Sequence, residues 1–282
     1  MHVRVRARRA AAAKGSSPAI IEAMTERDFA ALDGHQLLPR VLHEVASPDV
    51  RATVLGTTLP SPMIPRLRRP GNVDAGVLVV MDADAALDPN ARHAPSATVA
   101  LLGPSRMAEL VPRTRALAEL GVAAIGLDFT AMGESEPFGR EPWRPRTRED
   151  LAELRAAAGR PLWAFGLCDA ADAEIAAEAG IDAVVLGCEV GRRIGAPAVI
   201  DVLPEVLDAV AGMLTVAAAG PVRDGIDVFR YLAVGAELVV VDGDRSLEAL
   251  EAELVYAMRM TGCSSLADVG YDALFAPLFG EP

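Results

Sequence analysis

The sequence has 282 residues, of which 51% are hydrophobic and 4% aromatic, and its formal net charge is −12. A chain of this length fits one large domain, and its apolar content is enough for a sizeable core, which excludes global disorder. An acidic chain without a basic stripe is a poor nucleic-acid binder, and no apolar run reaches the ~18 residues that a membrane span needs. We therefore expect neither nucleic acid nor a membrane as a partner.

The counts of a few residue types exclude whole mechanisms. Lys14 is the single lysine, and its place in a basic terminal stretch argues against lysine-imine chemistry. The four histidines are scattered and follow no zinc-binding spacing: His2, His35, His43 and His93. The three cysteines form no CxxC pair and no disulfide framework, which is typical of a reducing cytoplasm: Cys168, Cys188 and Cys263.

The chain begins with the basic, alanine-rich stretch MHVRVRARRAAAAKGSS, which lacks the apolar centre of a secretory signal. We expect residues 1–25 to form a disordered basic tail, with binding of a partner as the alternative. Residues 26–282 are predicted to form a single domain.

Short apolar runs without polar alternation follow one another from residue 62 onward, as is typical of strands buried on both faces. These predicted strands are Pro62–Ile64, Gly76–Met81, Thr98–Leu102, Ala123–Asp128, Leu162–Gly166, Ala183–Gly187, Leu214–Ala218 and Leu238–Val241.

Stretches with helical periodicity separate most of these runs. The predicted helices are Arg106–Leu120, Arg148–Ala158, Ala170–Ala179, Ile226–Val234 and Ser246–Met260. Thr147 and Asp150 have the spacing of a capping box, and Gly180 and Gly235 are typical stop signals. Eight strands in strand–helix–strand units favour a closed (β/α)8 TIM barrel, with an open doubly wound sheet as the alternative.

Three connections are irregular. The segment between Ile64 and Val77 is short and broken by proline and glycine, so we expect the first barrel helix to be missing or replaced by a loop. The segments Asp82–Pro95 and Thr130–Pro145 are predicted to be loops at the carboxyl ends of the strands, where active sites of such barrels lie.

Five separated segments, in the right order, resemble the FMN-dependent α-hydroxy-acid oxidases and dehydrogenases of the glycolate oxidase and lactate oxidase type. They are LLPRVLHEVASPDVRATVLGTTLPSPMIP (37–65), REDLAELRAAAGRPLWAFGL (148–167), GAPAVIDVLPEV (195–206), GPVRDGIDVFRYLAVGAE (220–237) and TGCSSLADV (261–269). The resemblance covers roughly residues 26–270. It implies a (β/α)8 barrel.

Most residues that the family uses for catalysis are replaced at the matching positions. An active-site tyrosine of the family aligns with Leu101, and the flavin-contacting lysine aligns with Phe165. The catalytic histidine aligns with Cys188 or Glu189, depending on a one-residue gap. The aspartate that orients this histidine in the family is retained as Asp128.

The arginines that bind the substrate carboxylate in the family are also displaced. One aligns with Gly191 or, with the gap, with Arg192, and the other aligns near Ser135. Arg192 and Arg193 are therefore our candidates for binding an anionic substrate, with a surface pair bound to nearby acids as the alternative.

The resemblance implies a flavin phosphate site that is half retained. Gly220, Arg223 and Gly225 match the glycines and the arginine of the phosphate loop, and a loop that leads into a helix can cradle a phosphate. Ala219 and Pro221 replace an aspartate and a glycine of that loop. FMN is therefore a candidate cofactor, and otherwise we expect none.

Several acids and two cysteines lie at the predicted strand ends. Cys168 could approach Cys188 from the neighbouring strand and form a redox pair, with simple packing as the alternative. Asp128, Cys188 and Glu189 are the candidate catalytic residues, as a base or a replacement for the base; packing and loop bonding are the alternatives. We assign no metal site, although Mg²⁺ is an alternative for the acids Asp82, Asp84, Asp242 and Asp244.

The sequence therefore predicts a remodelled small-molecule enzyme that acts at the carboxyl end of the barrel on an anionic or phosphate-bearing ligand, by chemistry other than ordinary 2-hydroxy-acid oxidation. One alternative is a pseudoenzyme, a catalytically inactive barrel that serves as a subunit or scaffold for a protein partner or a second copy. Another is an FMN-binding oxidoreductase.

Overall fold

The structure is a computed structural model that describes residues 18–67, 76–89, 94–130, 145–187, 195–243 and 245–275. Eight parallel strands close into a barrel in which each strand pairs with the next one in the sequence and the last pairs with the first, and helices lie between them. This confirms the predicted (β/α)8 barrel and excludes the open sheet. Among the described residues, no helix is long and apolar enough to cross a membrane.

The barrel strands lie close to their predicted positions. They are β3 (Met63–Leu67), β4 (Val79–Asp82), β5 (Thr98–Leu102), β6 (Ala124–Asp128), β7 (Leu162–Leu167), β8 (Ala183–Leu186), β9 (Thr215–Ala218) and β10 (Leu238–Asp242). The strand β3 continues beyond the predicted end at Ile64. Pro65 has no N–H to donate to a strand ladder. The structure accommodates it within β3 because the β3–β4 pairs begin only at Arg66.

The helices are α1 (Pro18–Gly34), α2 (Ala83–Ala86), α3 (Met107–Leu120), α4 (Arg148–Ala158), α5 (Ala170–Glu178), α6 (Val199–Val210), α7 (Gly225–Ala233) and α8 (Leu247–Thr261). The predicted capping box at the start of α4 is present, because Thr147 and Asp150 exchange hydrogen bonds.

Three helices were not predicted. Helix α1 begins at Pro18, inside the range 1–25 that we assigned to the tail. Helix α2 occupies four residues of the segment predicted to be a loop after β4. Helix α6 contains Pro204 and was omitted from the predicted helices. The expected loss of the first barrel helix falls largely on residues 68–75, which lie outside the described residues.

The buried residues form two clusters. One lies between the strands and the surrounding helices. The other fills the barrel interior and includes Trp163 and Phe165, whose rings stack with centroids 6.2 Å apart. A short antiparallel hairpin, β1 (Ala52–Val54) and β2 (Thr57–Leu59), contributes three of its side chains to this interior cluster. The barrel is therefore a packed core, and a ligand must bind at its mouth.

Candidate functional site

Four charged residues stand at inward-facing positions where strands end at the carboxyl side of the barrel. Ile64, Val80 and Val240 belong to the interior cluster. Because strand side chains alternate between faces, the residues two positions further along also face inward. These residues are Arg66, Asp82 and Asp242, and Asp128 holds the same place on β6 beyond Gly126. We call these four residues the mouth cluster.

Asp128 and Arg66 form an ion pair across the mouth. The Nη2 atom of Arg66 lies 3.4 Å from Oδ2 of Asp128, and the two side chains are 31% and 13% exposed. Their strands are separated in the barrel by β4 and β5, so the pair spans the opening rather than joining neighbours. Asp128 is therefore placed where the sequence predicted a reactive carboxylate.

Thr130 fixes the other oxygen of Asp128. Its backbone N–H and its hydroxyl both donate to Oδ1, at 2.8 and 2.5 Å. Gly166 makes this turn possible, because a Cβ atom there would lie 2.9 Å from the backbone nitrogen of Thr130, and its φ of +88° also favours glycine. The carboxylate is thus held by one oxygen and faces Arg66 with the other.

Apolar side chains form the floor beneath the mouth cluster. Phe165, which is 2% exposed, pairs in register with Asp128, and Trp163 below it is fully buried. A Cβ atom on Gly126 would lie 2.9 Å from both Leu101 and Phe165, so the floor is closely packed at this point. Leu101 and Phe165, which the resemblance aligns with the family tyrosine and lysine, are both buried core residues.

Arg66 was not among the predicted site residues. The available signal was its position two residues after the apolar Ile64, at the end of a strand. The predicted strand ended at Ile64, and Arg66 was assigned to the irregular connection that follows it.

Several predicted site residues lie outside the described residues. These are Cys188, Glu189, Arg192, Arg193 and Asp244. Their predicted roles, and the approach of Cys188 to Cys168, stay predictions. Among the described residues there is no group of three or more potential metal ligands, and Asp84 is bound by Arg113.

Two glycines predicted to bind phosphate have a packing role. A Cβ atom on Gly220 would lie 1.9 Å from the hydroxyl oxygen of Tyr231, and one on Gly225 would lie 2.2 Å from the backbone oxygen of Leu250. Gly225 therefore allows α7 to approach α8 closely. Both glycines are required by the fold whether or not a phosphate binds.

Arg223, the third residue predicted to bind phosphate, is held by two carboxylates. Its guanidinium donates to Asp227 from Nε and Nη2 at 2.9 Å, and to Asp33 of α1 at 2.9 and 2.5 Å. The guanidinium carbon also lies 4.5 Å from the ring centroid of Phe29. Arg230 joins the same network through Asp227 at 2.7 Å and Asp33 at 3.3 Å. We call these two arginines and two aspartates the α1–α7 network.

The charges of this network shift one another's pKa values. Burial alone would raise the pKa of Asp227, but hydrogen bonds from the side chain and backbone of Arg223 outweigh burial and hold it below the ordinary value. The side-chain hydrogen bond from Arg223 lowers the pKa of Asp33. In return, hydrogen bonds from Asp227 and Asp33 raise the pKa of Arg223. Arg223 is therefore a permanently charged cation, and four of its five guanidinium N–H donors are bound to carboxylates.

Backbone N–H groups at the start of α7 are also engaged. The side chain of Asp224 accepts from Ile226 and Asp227, each at 3.0 Å, and the side chain of Glu253 accepts from Gly225 at 2.8 Å. The N–H of Arg223 donates to Asp227 at 2.8 Å. Carboxylates of the chain itself thus occupy donors that could otherwise bind an anion.

A groove lies away from the mouth cluster. Its volume is about 680 Å³, and it lies between the segment after α1 and the segment after α8. Its lining includes Arg40, Cys263, Tyr271 and Asp272, and no member of the mouth cluster.

Comparison with solved structures shows the same fold. A mandelate oxidase variant with an FMN adduct superposes with a TM-score of 0.73 and 22% sequence identity, and the match covers 92% of each chain. A lactate oxidase of Pediococcus acidilactici gives a TM-score of 0.71 and 19% identity, over 90% of this chain and 87% of that one.

Sequence comparison gives closer but shorter matches. A peroxisomal (S)-2-hydroxy-acid oxidase of Oryza sativa subsp. japonica is 34% identical over 158 residues, which is 50% of this chain and 43% of that protein. An L-lactate oxidase of Lactobacillus jensenii is 35% identical over 135 residues, 43% of this chain and 33% of that protein. The matches thus span less than half the length of these relatives. Residues 77–276 match the family described as FMN-dependent dehydrogenase, and the chain therefore belongs to the FMN-dependent dehydrogenase family.

Proposed function

We propose that this barrel binds a small carboxylic acid at its mouth and transfers protons with Asp128, by chemistry other than ordinary 2-hydroxy-acid oxidation. The observation that carries the proposal is the Arg66–Asp128 ion pair above an apolar floor. Arg66 is a cation at an inward-facing position, and a guanidinium matches a carboxylate in geometry.

The arrangement supports an exchange of partners at Arg66. A bound carboxylate would take the place of Asp128 beside the guanidinium and release Oδ2 of Asp128. This oxygen then accepts a proton from the bound molecule and returns it to another atom, while Thr130 keeps Oδ1 in place. A proton that leaves and returns needs no oxidant, as in an isomerisation or a reversible enolisation. Cys188 and Glu189, which follow β8 in the sequence, remain proposed contributors.

Family membership supports FMN as a ligand of the mouth, and the matched mandelate oxidase structure contains an FMN adduct. The residues at the phosphate position do not fit this cofactor well. Arg223 is bound to Asp33 and Asp227, and donors at the start of α7 are bound to Asp224 and Glu253. We therefore derive no step through FMN, and an FMN-dependent oxidoreductase is the alternative function.

The proposal is tested by titrating the purified chain with glycolate, lactate and pyruvate, with binding followed by NMR. Arg66→Gln is expected to weaken binding by at least about tenfold, which is the ordinary contribution of a hydrogen bond to a charged group. The matched control is Arg51→Gln, because Arg51 pairs with Asp49 on the surface and is 68% exposed. Equal binding by the wild type and Arg66→Gln would overturn the proposal.

The scaffold alternative is supported by a different observation. Val41 and Leu42, which follow α1, are 83% and 96% exposed, although both side chains are large and apolar. If this segment binds a second copy, Val41→Ser combined with Leu42→Ser would lower the molar mass measured by light scattering. The same mass for the wild type and the double variant would argue against self-association through this segment.

A further inference from the structure

In the loop between β9 and α7, carboxylates of the chain itself accept hydrogen bonds from backbone N–H groups. Asp224 caps α7, Glu253 reaches the same helix start from α8, and Asp227 accepts from the backbone of Arg223. Pro221 has no N–H to offer. A phosphate dianion placed here would meet carboxylates where it needs donors.

The two arginines of this region are bound to groups of the protein. Arg223 is bound by Asp33 and Asp227. Arg245, from the β10 loop, donates to the backbone oxygens of Val222 and Arg223. Both cations thus hold protein groups in place: Arg223 fastens α1 to α7, and Arg245 fastens the β10 loop to the β9 loop.

The end of the neighbouring strand β10 also carries an acid, Asp242. Asp242 pairs in register with Arg66, and Gly243 donates its N–H to the backbone oxygen of Arg66 at 3.0 Å. A Cβ atom on Gly243 would lie 2.6 Å from that oxygen. The N–H of Gly243 is therefore committed to closing β10 onto β3.

We propose that the β9–α7 loop and the end of β10 select against phosphate, so that this barrel takes ligands without a phosphate group. The inference rests on carboxylates that occupy anion-binding donors and not on Arg66, so it stands or falls independently of carboxylate binding at the mouth. It differs from the sequence-based expectation that Gly220, Arg223 and Gly225 bind a phosphate.

The first test compares FMN with riboflavin, which lacks the phosphate, by quenching of flavin fluorescence with the full chain. FMN is expected to bind no more tightly than riboflavin, and to gain no advantage at low salt, because a phosphate contact would add charge-assisted hydrogen bonds that salt weakens. FMN binding at least tenfold tighter than riboflavin binding, with a loss of that advantage in salt, would overturn the proposal.

The second test uses inorganic phosphate and decides the question if neither flavin binds. Phosphate is not expected to shift the melting temperature of the wild type. Asp224→Gly removes the capping carboxylate and leaves the N–H groups of Ile226 and Asp227 without it, at little cost to the helix, since glycine is an acceptable N-cap. The double variant Asp224→Gly, Glu253→Gln is expected to melt at a higher temperature when phosphate is added.

Two controls accompany this gain. Asp224→Asn keeps a capping oxygen without the charge and should show a smaller gain. Glu248→Gln removes one exposed charge from the first turn of α8 and should show none. Stabilisation of the wild type by phosphate, or the absence of any gain in the Asp224→Gly, Glu253→Gln variant, would contradict the proposal.

Discussion

Arg66 on β3 and Asp128 on β6 face each other across the barrel mouth, with Nη2 and Oδ2 3.4 Å apart. Asp128 is the last residue of β6, and Arg66 stands two residues beyond the interior Ile64 and faces inward because of strand alternation. The pair combines an anion-binding cation with a carboxylate that can accept a proton.

Removing the carboxylate charge of Asp128 is expected to abolish proton transfer. If Asp128 enolises a bound 2-oxo acid, the wild type speeds the exchange of pyruvate methyl protons with D2O. Asp128→Asn should slow this exchange by about 100-fold or more, the usual contribution of a positioned base. Exchange is followed by proton NMR. Asp84→Asn, a change of the same kind at a residue bound to Arg113, is the control.

Thr130 acts on the reaction through Asp128 and is a positioning residue. Thr130→Val removes the hydroxyl that donates to Oδ1 at 2.5 Å and keeps the shape of the side chain. The loss should slow pyruvate exchange by about tenfold, in line with one hydrogen bond to a charged group. Thr130→Ser restores the donor and should restore the rate. An inactive serine variant would show that the methyl group, and not the hydrogen bond, is what matters.

Gly166 is expected to be intolerant of a side chain. Alanine there would place Cβ 2.9 Å from the backbone nitrogen of Thr130 at a φ of +88°. We expect Gly166→Ala to lower the free energy of unfolding by about 2–4 kcal/mol, through strain and overpacking. Denaturant unfolding measures the loss. Gly103→Ala is the matched control, because a Cβ atom there has nothing within 4 Å, and a similar loss in both variants would contradict this reasoning.

The α1–α7 network depends on the buried Asp227 more than on Asp33. The side chain of Asp227 is fully buried, whereas that of Asp33 is 52% exposed. Asp227→Asn should cost about 3 kcal/mol of unfolding free energy, as for a broken buried ion pair, and Asp33→Asn less than about 1 kcal/mol. Thermal unfolding compares the two variants. Equal losses would mean that solvent does not weaken the Asp33 contact.

The same network makes stability depend on pH in the acid range. Because hydrogen bonds from Arg223 lower the folded pKa of Asp33 and Asp227 below the ordinary 3.8, their contribution is fully present above that value and is lost as the pH falls through the folded pKa. The unfolding free energy should therefore fall as the pH drops below about 4. A variant with both Asp33→Asn and Asp227→Asn should show a shallower fall. An unchanged slope would assign the acid sensitivity to other carboxylates.

Much of the fold was accessible from the sequence, because doubly buried strands of a barrel appear as continuous apolar runs. The predicted bounds of β5 and β6 agree with the structure to within one residue. The end of β3 was not predicted, because proline usually marks the end of a strand. Whether Pro65 fits within β3 depends on where the β3–β4 hydrogen bonds begin, and that is a property of the tertiary structure.

The candidate site was less predictable. The position of Asp128 follows from a strand end, but its ion pair joins it to Arg66, 62 positions away in the chain, and that separation gives no signal. Likewise, the match of Arg223 to a phosphate loop does not show that Asp33, in α1, binds its guanidinium.

The most direct test of the account is the visible spectrum of the purified chain, supplied with FMN and then mixed anaerobically with glycolate, lactate or mandelate. We predict that none of these acids bleaches the flavin band, although glycolate and lactate bind in an Arg66-dependent manner. Bleaching of the flavin by a 2-hydroxy acid, followed by peroxide formation when air is admitted, would show ordinary 2-hydroxy-acid oxidation and contradict the account.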